Sequence, residues 1–210
     1  GSEMCIRDRA APTEQPTPEP DLVQQLLEEM TLEQKVGQLF LVRPDSLDLS
    51  QTQDQINDAK ADGVTELTDA MRQTLAEYPV GGVVIFGKNL ESPQQITQFL
   101  DDLQQASDTP LFTAIDEEGG LVARLANNAA FDLPQYESAA AVGTSGNPED
   151  ARAMGRTIGG YLKEYGFNLD FAPVADVNTN PDNPVIGTRA FSSEPQTAAD
   201  LVGGACAGFA

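Results

Sequence analysis

No stretch constrains the fold of this chain more than Leu111 to Leu125, which reads LFTAIDEEGGLVARL. Leu111-Phe112-Thr113-Ala114-Ile115 is apolar without strict alternation and rich in strand formers, so it predicts a strand buried on both faces. Three carboxylates, Asp116, Glu117 and Glu118, follow at its C-terminal end, where α/β sheets place their ligands. Gly119 and Gly120 allow a tight turn and a close backbone approach to a ligand, and Arg124 comes next.

The flanking sequence supplies partners for such a strand. Leu22, Val23, Leu26, Leu27 and Met30 fall at helical spacing. Thr31 and Gln34 read as a capping box for a short helix from Leu32 towards Gln38, and Leu39 to Val42 as a first strand. Val80 to Phe86 predicts a second buried strand, ending in Gly87-Lys88-Asn89. Ser92 caps a helix starting at Pro93, with Ile96, Phe99, Leu100 and Leu103 as its core stripe. Asn147-Pro148 opens another helix, which runs to Tyr165 and is closed by Gly166. Phe167 to Phe171 is a further strand, followed by an Asn/Pro-rich loop, and Ser193-Glu194-Pro195 opens a last helix. Between Pro44 and Pro79 eight acids face only Lys60 and Arg72, so this part reads as a wet surface loop. It should lead into a helix near Glu66 to Tyr78, with Leu67, Met71, Leu75 and Tyr78 on the inner face.

Strands alternating with helices make this an α/β chain with a parallel sheet. The loops after strands are long and chemically rich, and those before strands are short. That asymmetry suits a (β/α)8 TIM-type barrel, whose site is built at the strands' C-terminal ends. A full barrel takes ~250 residues, more than this chain offers. The sheet is therefore either an open doubly wound one or a barrel truncated after roughly its first half; the last helix, without a following strand, favours the barrel.

Charge narrows the partners. With 12 Lys+Arg against 33 Asp+Glu the net charge is -21, which argues against nucleic acid and anionic membrane. No histidine occurs, which excludes Ser-His-Asp and Cys-His triads here and most zinc sites. Of the two cysteines, Cys5 and Cys206, the latter lies in a small-residue apolar segment and reads as a buried free thiol. No stretch approaches the ~20 apolar residues of a membrane span.

Residues 1–10 match nothing after them and read as a cloning or assembly remnant. Ala11 to Asp21, with Pro12, Pro16, Pro18 and Pro20, reads as a semi-rigid linker. The expected organisation is thus 1–21 remnant and linker, then 22–210 a partial barrel domain. Such linkers follow secretion signals or lipid anchors, so an extracellular or cell-envelope location is expected, with the cytoplasm left open.

Two loops carry candidate chemistry. Asn168 to Phe191 holds Asp170, Asp176, Asn178, Asn180, Asp182, Asn183 and Arg189, with three prolines restricting the backbone. A loop this long inside a domain is usually functional, and such amides and carboxylates suit sugar hydroxyls. The same residues also serve as Asx-turns that merely shape a surface. Asp116, Glu117 and Glu118 could bind ligand hydroxyls, act as an acid/base pair, or hold a divalent cation with Asp170 or Asp176. Carboxylates flanking one glycosidic bond must lie ~5 to 9.5 Å apart across it, so one ligand-facing carboxylate and two supporting ones is the expected split. No ligand spacing repeats a known calcium loop, and no metal or cofactor is expected. Arg124 and Arg189 are each suited to fork onto a ligand oxygen or a neighbouring acid.

At this point four stretches become recognisable together: MTLEQKVGQLF (30–40), VGGVVIFGKN (80–89), AIDEEGGLVARL (114–125) and Asn168 to Pro195. In this order they resemble the N-terminal barrel domain of glycoside hydrolase family 3, from about Leu22 onward. Asn183-Pro184-Val185-Ile186-Gly187-Thr188-Arg189-Ala190-Phe191 resembles the β-N-acetylhexosaminidase (β-N-acetylglucosaminidase) branch. The β-glucosidase members carry an Arg-Trp-Gly-Arg loop instead, and this chain has no tryptophan.

The resemblance implies a retaining glycosidase that releases terminal, non-reducing β-N-acetylhexosamine from peptidoglycan or chitin fragments. It places the aspartate nucleophile and the histidine acid/base beyond Ala210, so no catalytic residue is assigned here and the chain by itself is expected to be inactive. It assigns sugar binding to Asp116, Arg124 and Arg189. Leu121 departs from the arginine of many members, and the stretch around Asp45 to Asp62 matches the family poorly and is given no role. A monomer acting on N-acetylglucosamine-containing carbohydrate is expected. The competing readings are a non-catalytic carbohydrate-binding module on a half barrel, and a β-glucosidase or β-xylosidase of the same family.

Overall fold

The computed structural model describes residues 21–210. The expectation of a remnant and linker over 1–21 lies outside these residues except for Asp21. Of the described residues, 21–31 belong to a first unit. In it, helix α1 (Leu22–Glu29) is capped by Asp21, whose Oδ1 accepts the N–H groups of Val23 and Gln24.

The second unit, Leu32 to Ala210, opens with α2 (Leu32–Gly37) and β1 (Leu41–Val42). Then come α3 (Gln53–Asn57), α4 (Asp69–Glu77), β2 (Gly82–Ile85), α5 (Pro93–Ala106) and β3 (Phe112–Ile115). A hairpin follows, β4 (Glu117–Gly119) with β5 (Val122–Ala123), and after it α6 (Ala139–Gly143), α7 (Pro148–Glu164), β6 (Leu169–Asp170) and α8 (Pro195–Phe209). Strands β1, β2, β3 and β6 pair in that order, all parallel. This is the βαβ arrangement expected from the sequence, and among the described residues the sheet does not close into a barrel.

Register decides which side chains meet. Val83 pairs with Thr113 and Ile85 with Ile115, so these share one face of the sheet. All four are completely buried, and Val83, Ile85 and Ile115 join one apolar cluster with Ile96, Phe99, Leu100 and Leu103 of α5 and Ile158 and Leu162 of α7. The α5 stripe thus packs as its spacing predicts, and Ser92 Oγ accepts the Gln95 N–H at its start. On the opposite face Phe112 pairs with Gly82 and remains 53% exposed. Ala114, on the same face, is completely buried, so the expectation of a strand buried on both faces holds except at Phe112, at the start of the strand.

β6 is positioned by side chains as much as by the ladder. Asn168 accepts the Thr113 N–H and donates to the Leu111 carbonyl, while Thr113 Oγ1 donates to the Gly166 carbonyl. Helices α7 and α8 approach backbone to backbone, because a side chain at Gly155 would strike the Ala205 carbonyl.

Three further expectations are corrected. Tyr78 is 55% exposed, since α4 ends at Glu77 and only Met71, Thr74 and Leu75 face inward. Cys206 is a free thiol but exposed, because α8 buries Ala198, Leu201 and Ala205 and turns the next position outward. And the acidic stretch after Pro44 is not uniformly wet: Asp45 is completely buried. The tight turn expected at Gly119 and Gly120 is present, both at positive φ (85 and 65), as the turn of the β4–β5 hairpin.

Candidate functional site

The strands' C-terminal ends bring Arg43, Phe86 to Asn89, Asp116 to Glu118 and Asp170 to one rim of the sheet. Strand alternation sorts the carboxylates. Asp116 follows Ile115 and faces the open side, where its Oδ2 accepts from Arg124 Nη2 at 3.1 Å. Both side chains keep about a third of their surface, 27% for Asp116 and 33% for Arg124.

Glu117 points the other way and is completely buried. Its Oε2 accepts the Leu125 N–H and its Oε1 the Ala126 N–H, both at 2.9 Å, and Tyr161 OH donates to Oε1 at 2.8 Å. These bonds hold the segment that carries Arg124. Burial, and then the Glu117 charge, raise the Tyr161 phenol above its ordinary value, so it stays a donor.

Glu118 is taken by Arg189. The guanidinium forks onto it, Nε to Oε2 at 2.8 Å and Nη2 to Oε1 at 2.6 Å, and Nη1 donates to the Val185 carbonyl. The bond to Glu118 keeps the Arg189 guanidinium above its ordinary pKa. Through this fork the long loop after β6 is tied to the hairpin after β3. The three residues expected to bind sugar therefore fall into one exposed pair, Asp116 with Arg124, and one arginine already held by a carboxylate.

Asp170, named in the sequence among the loop acids and as a possible cation partner of the Asp116 to Glu118 cluster, sits in the middle of that cluster. Its carboxylate accepts the Glu117 N–H at 2.9 Å, and its Oδ2 is buried without a partner. Burial pushes its pKa up to about 7, against the Glu117 N–H bond and with help from the charges of Glu117, Asp116 and Glu118. The signal for it was present, since it ends a strand of the same sheet. Asp176, Asn180 and Asp182 turn their side chains to nearby backbone or solvent; Asp176 accepts the N–H of the next residue, Val177, and Asn180 accepts the Asp182 N–H two residues on, as an Asx-turn does. Among the described residues no group of three or more His, Cys, Asp or Glu is arranged to hold a metal ion.

Missed altogether was a second knot at the ends of β1 and β2. Lys88 Nζ lies 3.2 Å from Asp45 Oδ1, with side-chain exposures of 6% and 0%. Asn89 donates to Asp45 Oδ2 and to the Val64 carbonyl, and the Val64 N–H returns to Asp45 Oδ1. Arg43 lies over the Phe86 ring at 4.3 Å, and Arg124 approaches the same ring at 5.6 Å. The position of Lys88 just after a buried strand was the available clue.

A parallel sheet with its polar residues gathered at the strand ends matches a known pattern. The sequence fits the glycosyl hydrolase family 3 N terminal domain over residues 31–209. The chain belongs to glycosyl hydrolase family 3. Its curated relatives include the beta-hexosaminidase A of Pseudoalteromonas piscicida, 36% identical over 143 residues, which cover 66% of this chain and 24% of that protein. A beta-hexosaminidase of Alkalilimnicola ehrlichii is 35% identical over 149 residues, 69% of this chain and 42% of that protein. Among solved structures, a family 3 beta-N-acetylglucosaminidase from Paenibacillus sp. superposes with a TM-score of 0.71 at 34% identity, over 86% of this chain and 31% of that one. The beta-N-acetylhexosaminidase of Beutenbergia cavernae gives 0.67 at 26% identity, over 86% of this chain and 51% of that one. The chain spans well under half the length of these curated relatives. The family fold is a TIM-barrel-like α/β one, and the four parallel strands seen here are part of it.

Proposed function

We propose that the full-length protein is a retaining β-N-acetylhexosaminidase and that this chain supplies the sugar-binding wall of its site. The observation that carries the reading is the Asp116–Arg124 pair. It lies at the C-terminal rim of the sheet, still open to solvent, and is held in place by a carboxylate, Glu117, that does no surface work of its own. An aspartate so placed accepts from two sugar hydroxyls, and the guanidinium donates to a third oxygen or to an acetamide carbonyl. Arg189, fixed by Glu118, offers its remaining N–H groups to the same ligand. The beta-hexosaminidase relatives support this choice over a non-catalytic module and over a β-glucosidase or β-xylosidase. The nucleophile and acid/base belong to the part of the protein beyond the four strands described.

Hydrolysis of nitrophenyl N-acetyl-β-glucosaminide by the full-length protein tests this. Asp116→Ala is expected to lower kcat/KM by at least about 100-fold, the scale of one lost charge-assisted contact made in the transition state. Turnover unchanged in that variant would reject the assignment. The natural substrates are taken to be peptidoglycan or chitin fragments, the acting species a monomer, and the location extracellular or cell envelope. The proline-rich residues 11–21 are the support for that location. No helix among the described residues is long and apolar enough to cross a membrane.

A further inference from the structure

Where β3 and β6 part, a side chain takes over from the backbone. The Phe171 N–H still donates to the Ile115 carbonyl at 2.9 Å, but after Ile115 the chain leaves the parallel sheet for the β4–β5 hairpin. The next amide on that side, the Glu117 N–H, is met at 2.9 Å by Asp170 Oδ1.

That amide belongs to the peptide joining Asp116 to Glu117. The plane of this peptide sends the two side chains opposite ways, Asp116 to the open side and Glu117 into the fold. Asp116 then meets Arg124, and Glu117 holds the Leu125 and Ala126 amides just beyond it. A brace on this one peptide therefore steadies both members of the exposed pair. A carboxyl group in such a place carries a burial cost that an apolar side chain would avoid, and the hydrogen bond it makes goes to the turn that aims Asp116.

The charged and titratable groups around Asp170 have other partners or stand apart from it. Asp116 is paired with Arg124 and Glu118 with Arg189, while Tyr161 of α7 donates to Glu117. Lys163, also on α7, borders the cleft that Asp170 lines. Asp170 Oδ2 is buried and has no hydrogen-bond partner. Burial, and with it the charges of Glu117, Asp116 and Glu118, keep the proton on this group up to about pH 7, against the Glu117 N–H bond. Protonated, Asp170 still offers Oδ1 to the Glu117 N–H, and Oδ2 becomes a donor among carboxylates.

We infer that Asp170 is a positioning residue for the sugar grip, bracing the Asp116–Glu117 peptide so that Asp116 and Arg124 meet the terminal sugar together. A sugar seated on Asp116 displaces water from the rim and makes a further negative charge at Asp170 more costly. Binding then favours the protonated group, and by linkage protonation favours binding. The inference rests on the reading of Asp116 and Arg124 as the grip on the terminal sugar.

Isothermal titration of the full-length protein with N-acetylglucosamine, in pairs of buffers with different ionisation enthalpies, tests it. Between about pH 5.5 and 8.5 the wild-type affinity should fall about fivefold, with uptake of a fraction of a proton on binding near pH 7. Asp170→Asn keeps an acceptor for the Glu117 N–H, places a donor at Oδ2 and cannot ionise. It should bind throughout this range as the wild type does at the acid end, without that proton uptake. Asp170→Ala removes the brace and should bind about tenfold more weakly at every pH. Parallel pH profiles for wild type and Asp170→Asn overturn the inference, as does wild-type affinity in a folded Asp170→Ala. If the Ala variant does not fold, the Asn profile decides alone. No binding by the wild type, or undiminished binding by Asp116→Ala, rejects the grip and the inference with it; binding lost in Asp116→Ala beside parallel profiles rejects the inference only.

Discussion

Two ion pairs stand on the same rim of the sheet and behave as opposites. Asp45–Lys88 is sealed, with 0% and 6% of its side chains exposed, and every oxygen of Asp45 is engaged. Asp116–Arg124 is open, at 27% and 33%, and joined by a single hydrogen bond. A sealed pair can only hold structure, because nothing can replace either partner. An open pair can exchange its partner for a ligand at little loss, since water already competes for it. The contrast makes Asp45–Lys88 architectural and leaves Asp116–Arg124 as the exchangeable pair that the proposed recognition role requires.

The largest test of that division is Lys88→Met. It leaves Asp45 buried and uncompensated, and should lower the unfolding free energy by about 3–5 kcal/mol in urea. Adding Asp45→Ala in the same chain should recover much of the loss. No recovery would mean that the pair contributes as charge and not only as a matched unit.

Next in size is the pH dependence carried by Asp170. Its folded pKa is raised to about 7, whereas an unfolded aspartate titrates near the ordinary carboxylate value. Between about pH 4 and 7 the unfolded chain therefore binds fewer protons than the folded one. The contribution of this group is fully present below that window, and it is lost as pH rises through about 7. From pH 4.5 to 8 the difference in stability between wild type and Asp170→Asn should shift by about 2–4 kcal/mol in favour of the variant. Parallel pH curves for the two proteins would refute it.

Arg189→Ala should cost about 1–3 kcal/mol, because Glu118, nearly buried, loses both hydrogen bonds of the fork. The smallest effect on stability belongs to Asp116→Ala, under about 1 kcal/mol for a pair this exposed. Its effect on N-acetylglucosamine binding should nevertheless be the greatest of the four. If Asp116→Ala unfolds the protein as readily as Lys88→Met, the comparison collapses.

How far the sequence led can be read from single elements. The α5 stripe was legible because apolar residues at helical spacing, a Ser cap and a Pro at the first helical position all agree. The strand Leu111–Ile115 was legible for its composition, but its exposed Phe112 was not, since coverage of a sheet face depends on what packs there. Asp116 could be separated from Glu117 by extending the strand's alternation, a local rule. Glu117's three partners could not be seen, because Tyr161 is forty-four residues away and meets it only when α7 packs on the sheet. Asp45 was misread as wet for the same reason: in a stretch of acids nothing local distinguishes the one that Lys88 and Asn89 will enclose.

By itself, then, the sequence determined the α/β alternation, the strand order's raw material and the family, all of which rest on periodicity, caps and motifs a few residues long. Tertiary structure alone decided which carboxylates are enclosed in the fold and which stay open at the rim. That division depends on burial and on partners distant in sequence, and the free energy of a charge is set by its surroundings, not by its neighbours along the chain.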